Sequence, residues 1–93
     1  MYFDHIEERE ENGSFYIVAI DTQSGNTYLI NNHAIIQTSM SSLEGFRLVI
    51  SVHPDTYVYR GKLQSKEEME KLSKEIGKLI ISADFKTNSI FHT

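Results

Sequence analysis

Histidine and cysteine are the side chains that most often transfer protons or bind metal ions, and this chain has few of them. The four histidines, His5, His33, His53 and His92, show none of the H-x-H, H-E-x-x-H or H-x₃-H spacings that bring two imidazoles to one metal ion. The sequence contains no cysteine, which excludes thiolate zinc sites, disulfide bonds and cysteine nucleophiles. We therefore predict neither a metal site nor a cofactor.

His53 and Asp55 have a spacing that suits general-base catalysis, because the carboxylate could orient the imidazole across Pro54. A β-turn explains the same residues, since proline presets the backbone of a turn and aspartate bonds to nearby backbone amides. The sequence has no G-x-S-x-G elbow, P-loop or G-x-G-x-x-G motif. These observations predict a protein that is not an enzyme.

The negative charge of the chain is concentrated at its start. The formal net charge is −4, and the first eleven residues already supply it, since Asp4, Glu7, Glu8, Glu10 and Glu11 outweigh Arg9. This acidic arm, residues 1–13, is suited to meet a basic patch on a partner protein. An edge strand whose charges prevent aggregation is an alternative explanation, and such an edge could also accept a partner's strand. The four glutamates are our candidate protein-interaction residues.

Binding of nucleic acid or of a ligand is the alternative function, because aromatic side chains on a sheet can stack on bases beside arginines. The residues of this candidate basic and aromatic surface are Tyr16, Tyr28, Arg47, Arg60, Lys71, Lys74 and Lys78. Two properties argue against nucleic-acid binding. The chain has nine basic against thirteen acidic residues, and glutamates lie among the three lysines, as on an ordinary solvated helix face.

Residues 14–62 have the composition of a β-sheet, with few charges and many β-branched or aromatic residues. Ser14–Asp21 is the clearest strand, and the preceding Asn12-Gly13 pair favours a type I′ hairpin with a strand at residues 6–11. A short helix that ends at Gly13 is the alternative for the acidic arm. Further strands are predicted at residues 27–30, 33–40 and 46–53.

A turn at residues 53–56 leads into one more strand and sets its register. If the turn closes a tight hairpin with His53 opposite Thr56, Val52 faces Tyr57 and Ile50 faces Tyr59. Both tyrosines then lie on the core face of the sheet.

Residues 65–82 are predicted to form an amphipathic helix. Ser65 and Glu68 have the spacing of a capping box. Apolar residues then recur at intervals of three and four, as expected of a helix lying on a sheet: Met69, Leu72, Ile76, Leu79 and Ile80. The C-terminal segment, residues 83–93, is expected either to add an edge strand or to tuck Phe85 and Phe91 against the core.

These elements together predict a single α+β domain over residues 1–93, an antiparallel meander of about five strands packed by one C-terminal amphipathic helix. One helix covers only one face of a sheet, although residues 15–20 are apolar on both faces. Either the sheet curls into a partial barrel, or a second copy of the chain covers the other face. We expect a homodimer.

The sequence also bears on where the protein acts. No stretch reaches the roughly 20 apolar residues of a membrane span, and the first residues lack the pattern of a secretory signal. We therefore expect a cytoplasmic protein without a membrane partner. The resulting hypothesis is a small non-enzymatic regulator or inhibitor that acts through contacts with another protein.

Overall fold

A computed structural model describes the backbone of residues 1–91 and the side chains of residues 1–88. Within this range, seven strands precede one helix. The strands are β1 (Tyr2–Phe3), β2 (His5–Glu11), β3 (Ser14–Asp21), β4 (Asn26–Ile30), β5 (Ile35–Ser41), β6 (Gly45–Val52) and β7 (Asp55–Tyr59), and the helix is α1 (Lys66–Phe91).

The strands form two sheets. One has three strands in the order β2-β3-β4, and the other has four in the order β1-β7-β6-β5. All neighbouring strands pair antiparallel except β1 and β7, which are parallel. The predicted α+β class, with antiparallel sheets and a C-terminal helix, is confirmed. The described strands are divided between two sheets that do not close into a barrel, where the sequence predicted one meander of about five strands.

Asp4 connects the two sheets at the start of the chain. The residues before it pair with β7 and those after it pair with β3, so the backbone passes from one sheet to the other at this single residue. The Asp4 amide donates to the Ile20 carbonyl at 2.9 Å. Its carboxylate accepts hydrogen bonds from the Thr22 amide, at 3.1 Å, and from the Thr22 hydroxyl. These contacts hold the bend between β1 and β2.

The hairpin predicted at Asn12-Gly13 is confirmed. Both residues have positive φ, 52° for Asn12 and 83° for Gly13, as a type I′ turn requires. Glu11 lies opposite Ser14, and the pairing continues as far as His5 opposite Ile20. The acidic arm is therefore a strand from residue 5 to residue 11, and the alternative of a short helix ending at Gly13 is wrong.

The core lies between the two sheets and the helix. Its fully buried large side chains come from all three parts: Phe3, Ile17, Leu48, Ile50 and Ile76. Burying each such side chain stabilises the fold by roughly 1.5–3 kcal/mol. The single helix thus packs against the inner faces of both sheets.

The hairpin between β6 and β7 has a different register from the predicted one. Its turn has only two residues, His53 and Pro54, so Val52 lies opposite Asp55 and Ile50 opposite Tyr57. The predicted register is therefore wrong by two residues. The peptide bond between His53 and Pro54 is cis. A shift of two residues does not exchange the faces of a strand. Tyr57 is accordingly buried, and Tyr59 packs against the core as expected.

The helix begins as predicted but extends further. The Glu68 amide donates to Ser65 Oγ at 3.1 Å, and the Glu68 carboxylate accepts from the Gln64 amide at 2.8 Å. The helix then continues through residue 91, so an edge strand in residues 83–91 is wrong. Ala83 is buried at a position that continues the apolar stripe, which explains the added length.

Phe85 does not tuck against the core, because 72% of its surface is exposed. It lies on the solvent side of the extended helix. The Phe91 side chain and His92 lie outside the part of the chain that the structure describes.

Candidate protein-interaction surfaces

The acidic arm lies at an open edge, because β2 is the outermost strand of the three-stranded sheet. Successive side chains of a strand point to opposite faces. Ile6, which packs against the core, shares the inner face with Glu8 and Glu10, whereas Glu7 and Glu11 lie on the outer face. The four candidate glutamates therefore lie along one edge but do not form one continuous surface.

Two of these carboxylates are held by cations within the domain. Glu7 accepts a hydrogen bond from Arg9 Nε at 3.0 Å and lies 3.3 Å from His5 Nε2. The hydrogen bond from Arg9 lowers the pKa of the Glu7 carboxyl below its usual value. Glu8 pairs with Lys86 of α1 at 2.9 Å, and this contact ties β2 to the helix.

Glu10 and Glu11 remain as the strongest negative feature of the arm. Both are exposed at the end of the β2–β3 hairpin, opposite Phe15 and Ser14 respectively. Neither carboxylate forms an ion pair with any side chain of residues 1–88. The hairpin end is thus the part of the arm where a cation from a partner would meet uncompensated charge.

The two candidate tyrosines lie on opposite faces of the three-stranded sheet. Tyr28 is on the inner face, where its ring centre lies 4.8 Å from that of Tyr57. Tyr16 is on the outer face, opposite Arg9 of β2. A single nucleic-acid strand could not stack on both rings.

The candidate arginines are engaged at separate places. Arg60 Nη2 lies 3.3 Å from a carboxylate oxygen of Asp21, and Nη1 donates to Gln23. The Arg60 guanidinium also lies 4.8 Å from the centre of the Tyr2 ring. Arg47 lies on the outer face of β6, 3.6 Å from Glu44.

The candidate lysines Lys71, Lys74 and Lys78 line a shallow depression on α1 together with Glu67, Glu70 and Glu75. The lysines are exposed, and the glutamates offset their charge. The structure does not bring the seven residues of the basic and aromatic surface together.

The partner of Arg60 was missed from the sequence. Asp21 is only 5% exposed, and its carboxylate also accepts the Gln23 amide at 3.1 Å. A signal was present, because Ile17, Ala19 and Asp21 share one face of a strand whose other inward residues are apolar. An acidic residue at such a position requires a cation or several hydrogen bonds.

His53 and Asp55 do not form a catalytic pair in the structure. Both are exposed, one on each side of Pro54, and no hydrogen bond joins their side chains. Among the described side chains, those of residues 1–88, no group of three histidine, aspartate or glutamate residues is placed to hold a metal ion.

A second open edge, which the sequence analysis missed, is formed by β5. It is the outermost strand of the four-stranded sheet and pairs only with β6 within the described range. Its seven residues include no charge, proline or glycine. Ile35 and Met40 are 60% and 67% exposed. A long, uncharged edge of this kind readily pairs with another strand.

Two grooves flank the helix. One, of about 210 Å³, lies between α1 and the end of β4 and is lined by Ile30, Asn32, Ile80 and Asp84. The other, also about 210 Å³, lies between α1 and the bend at Asp4. Neither brings together a set of groups that would fix a ligand in one orientation.

The helix of the described chain is not apolar enough over its length to cross a membrane. No family model, curated protein or solved structure matches this chain. The arrangement of residues on the two open edges is therefore the basis for a functional proposal.

Proposed function

We propose that this domain is a non-enzymatic regulator or inhibitor that binds another protein by accepting an extended, positively charged segment along the edge of β2. The observation that carries the proposal is that a seven-residue strand with four glutamates forms an open sheet edge. Such an edge supplies a row of backbone groups for strand addition, the mode in which an extended segment extends a sheet.

The charges select the kind of segment that can bind. In an antiparallel pair, directly opposite side chains lie about 4.5–5.5 Å apart, and opposite charges there stabilise the pair by roughly 0.2–1 kcal/mol. Lysine or arginine opposite Glu10 and Glu11 would gain most, because these carboxylates have no cation of their own within residues 1–88. An acidic segment, or a second copy of β2, would be repelled.

The proposed regulatory role follows from occupation of the β2 edge by the partner's basic segment. A domain that adds a basic segment to its sheet hides that segment from other partners, and electrostatic attraction speeds the encounter. Binding in the cytoplasm is part of the proposal, since a chain without cysteine needs no oxidising compartment to fold.

The proposal is tested by NMR titration of the isotopically labelled protein at low ionic strength. The probe is a short peptide with two adjacent lysines flanked by threonines, so that both Glu10 and Glu11 can lie opposite a lysine. The comparison peptide has glutamate in place of lysine. We expect the lysine peptide to shift the amide signals of residues 5–11 and the glutamate peptide to leave them unchanged. Added salt should weaken the lysine peptide's binding.

The double variant E10K/E11K should weaken the affinity for the lysine peptide roughly tenfold or more, since two favourable cross-strand pairs become repulsive. The matched control is E67K/E70K, which makes the same change in net charge on the exposed face of α1 and should retain the affinity. Equal loss in both variants would show that net charge alone drives binding. That result, or shifts located away from β2, would overturn the proposal.

A further inference from the structure

We infer that the β5 edge is a self-association surface, at which β5 of a second copy of this chain adds antiparallel about a two-fold axis at Thr38. This inference concerns a different edge from the one proposed to bind a basic partner, so the two can fail independently. It rests on the direction of the β5 backbone groups, the chemistry of its side chains and the contrast with β2.

The direction of the backbone groups can be followed from the opposite edge of the sheet. The Val58 amide donates to the Met1 carbonyl at 2.8 Å, so it points toward β1. Neighbouring residues of a strand direct their backbone groups to opposite sides, so the Tyr57 groups point toward β6. Tyr57 lies opposite Ile50, whose backbone groups therefore point back toward β7.

The same alternation determines which groups of β5 are unpaired. Ile36 lies opposite Ile50, which bonds to β7, so the N–H and C=O of Ile36 point away from β6. The backbone groups of Thr38 and Met40 point the same way, because the direction repeats at every second residue. These three residues present their backbone donors and acceptors at the open edge, and Gln37 and Ser39 bond to β6.

A two-fold axis at Thr38 matches these groups to one another. Thr38 of one copy lies opposite Thr38 of the other, and Ile36 lies opposite Met40 in both directions. Each of the three outward residues then exchanges both of its backbone hydrogen bonds with the second copy. The exposed Met40 side chain gains an apolar neighbour, and the facing threonines form a favourable cross-strand pair.

The charges explain why a second copy fits β5 and not β2. Pairing β2 with itself would bring glutamates against glutamates, which is unfavourable at cross-strand distances. β5 has no charged residue, so the same operation there brings no like charges together. β4 is also an uncharged edge but has only five residues. The pairing at β5 would join the two four-stranded sheets into one sheet of double width.

The experiment combines sedimentation with hydrogen exchange on the intact chain. We expect a monomer–dimer equilibrium across a concentration series. The amides of Ile36, Thr38 and Met40 should exchange slowly at high concentration and rapidly on dilution, whereas those of Gln37 and Ser39 should be slow at both. A monomer at every concentration up to about millimolar, where even weak pairing would register, would overturn the inference. So would rapid exchange of the three amides in a dimer.

Thr38→Pro removes one outward donor without disturbing a bond to β6, since proline is tolerated on the open side of an edge strand. It should abolish the dimer. Thr27→Pro, on the other uncharged edge, is the matched control and should leave the dimer intact, as should E10K/E11K. If Thr38→Pro does not fold, T38K serves instead, because it places two like charges face to face and should weaken dimerisation at least about tenfold. Retention of the dimer in T38K would contradict the inference.

Discussion

The Thr87 hydroxyl of α1 bonds to both backbone groups of Phe15 in β3. The Phe15 amide donates to Thr87 Oγ1 at 2.8 Å, and Thr87 Oγ1 donates to the Phe15 carbonyl at 3.0 Å. The last pair between β3 and β4 joins Ile17 to Ile30. Phe15 lies two residues beyond that pair, so its backbone N–H and C=O point to the same side of β3 as those of Ile17, where β4 has already ended. One helical side chain thus takes the place of the strand residue that is missing there.

This relationship predicts the effect of Thr87→Val, which keeps the shape of the side chain but removes the hydroxyl. Leaving the partly buried amide and carbonyl without their partner should lower the free energy of unfolding by about 1–3 kcal/mol. Urea denaturation measures the loss, and faster exchange of the Phe15 amide locates it. Thr27→Val, an exposed strand position, is the matched control and should change stability little. An unchanged exchange rate of the Phe15 amide in Thr87→Val would show that the hydrogen bond to Thr87 does not stabilise the fold.

Gly77 offers a way to stabilise the helix. A methyl group at this position would meet Ile36 Cδ1 of β5 at 3.9 Å, an ordinary van der Waals contact. Gly77→Ala should therefore raise the free energy of unfolding by about 0.5–1 kcal/mol, because it removes the entropic cost of a helical glycine. The change is measured as a shift in the midpoint of thermal unfolding.

Gly61→Ala is the informative comparison for Gly77→Ala. A methyl group on Gly61 would overlap the ring of Tyr59, which would have to move away from its contact with Phe3. We expect this variant to be destabilised. If both alanine variants were stabilised, the packing of Tyr59 described above would be wrong.

Tyr57 makes stability depend on pH in the alkaline range. Burial is the main cause that raises the pKa of its phenol, with a smaller contribution from the charge of Asp55. Because the folded state then favours the neutral phenol, stability is fully present below the usual pKa of about 10 and is lost as pH rises through the folded value.

Tyr57→Phe should remove part of this alkaline loss. Urea midpoints of the wild type and of Tyr57→Phe, measured between neutral pH and about pH 11, should converge or cross as pH rises. The neutral end of the series is the control, because the phenol is protonated there in both the folded and the unfolded state. Parallel curves throughout the range would refute the assignment.

Local signals were sufficient to predict the elements that depend on nearby residues. Asn12-Gly13 indicated its hairpin and Ser65 the start of the helix, because a turn or a cap is decided within a few residues. The face of the sheet on which Tyr57 and Tyr59 lie was also predicted correctly despite the wrong register. Side chains alternate between the two faces of a strand, so a register shift of two residues leaves each on the same face.

The remaining features depend on contacts between distant residues. The end of the helix could not be inferred because threonine is a weak helix former, and the bond from Thr87 to Phe15 is visible only in the folded chain. The division into two sheets depends on the bend at Asp4, which is held by Thr22 in the turn after β3. The open edge of β5 likewise depends on the order of the strands in the sheet, which the spacing of apolar residues in the sequence does not reveal.

The pairing of β1 with β7 has a consequence for the order in which the domain folds. The Met1 ammonium group donates to the Thr56 carbonyl, 55 residues further along the chain. The β2–β3–β4 sheet can form from neighbouring hairpins, but β1 has no partner until β7 has been synthesised and placed. Contacts that close a long loop form slowly. We therefore expect β1 to be among the last strands to reach its native position, although it precedes β2 to β7 in the chain.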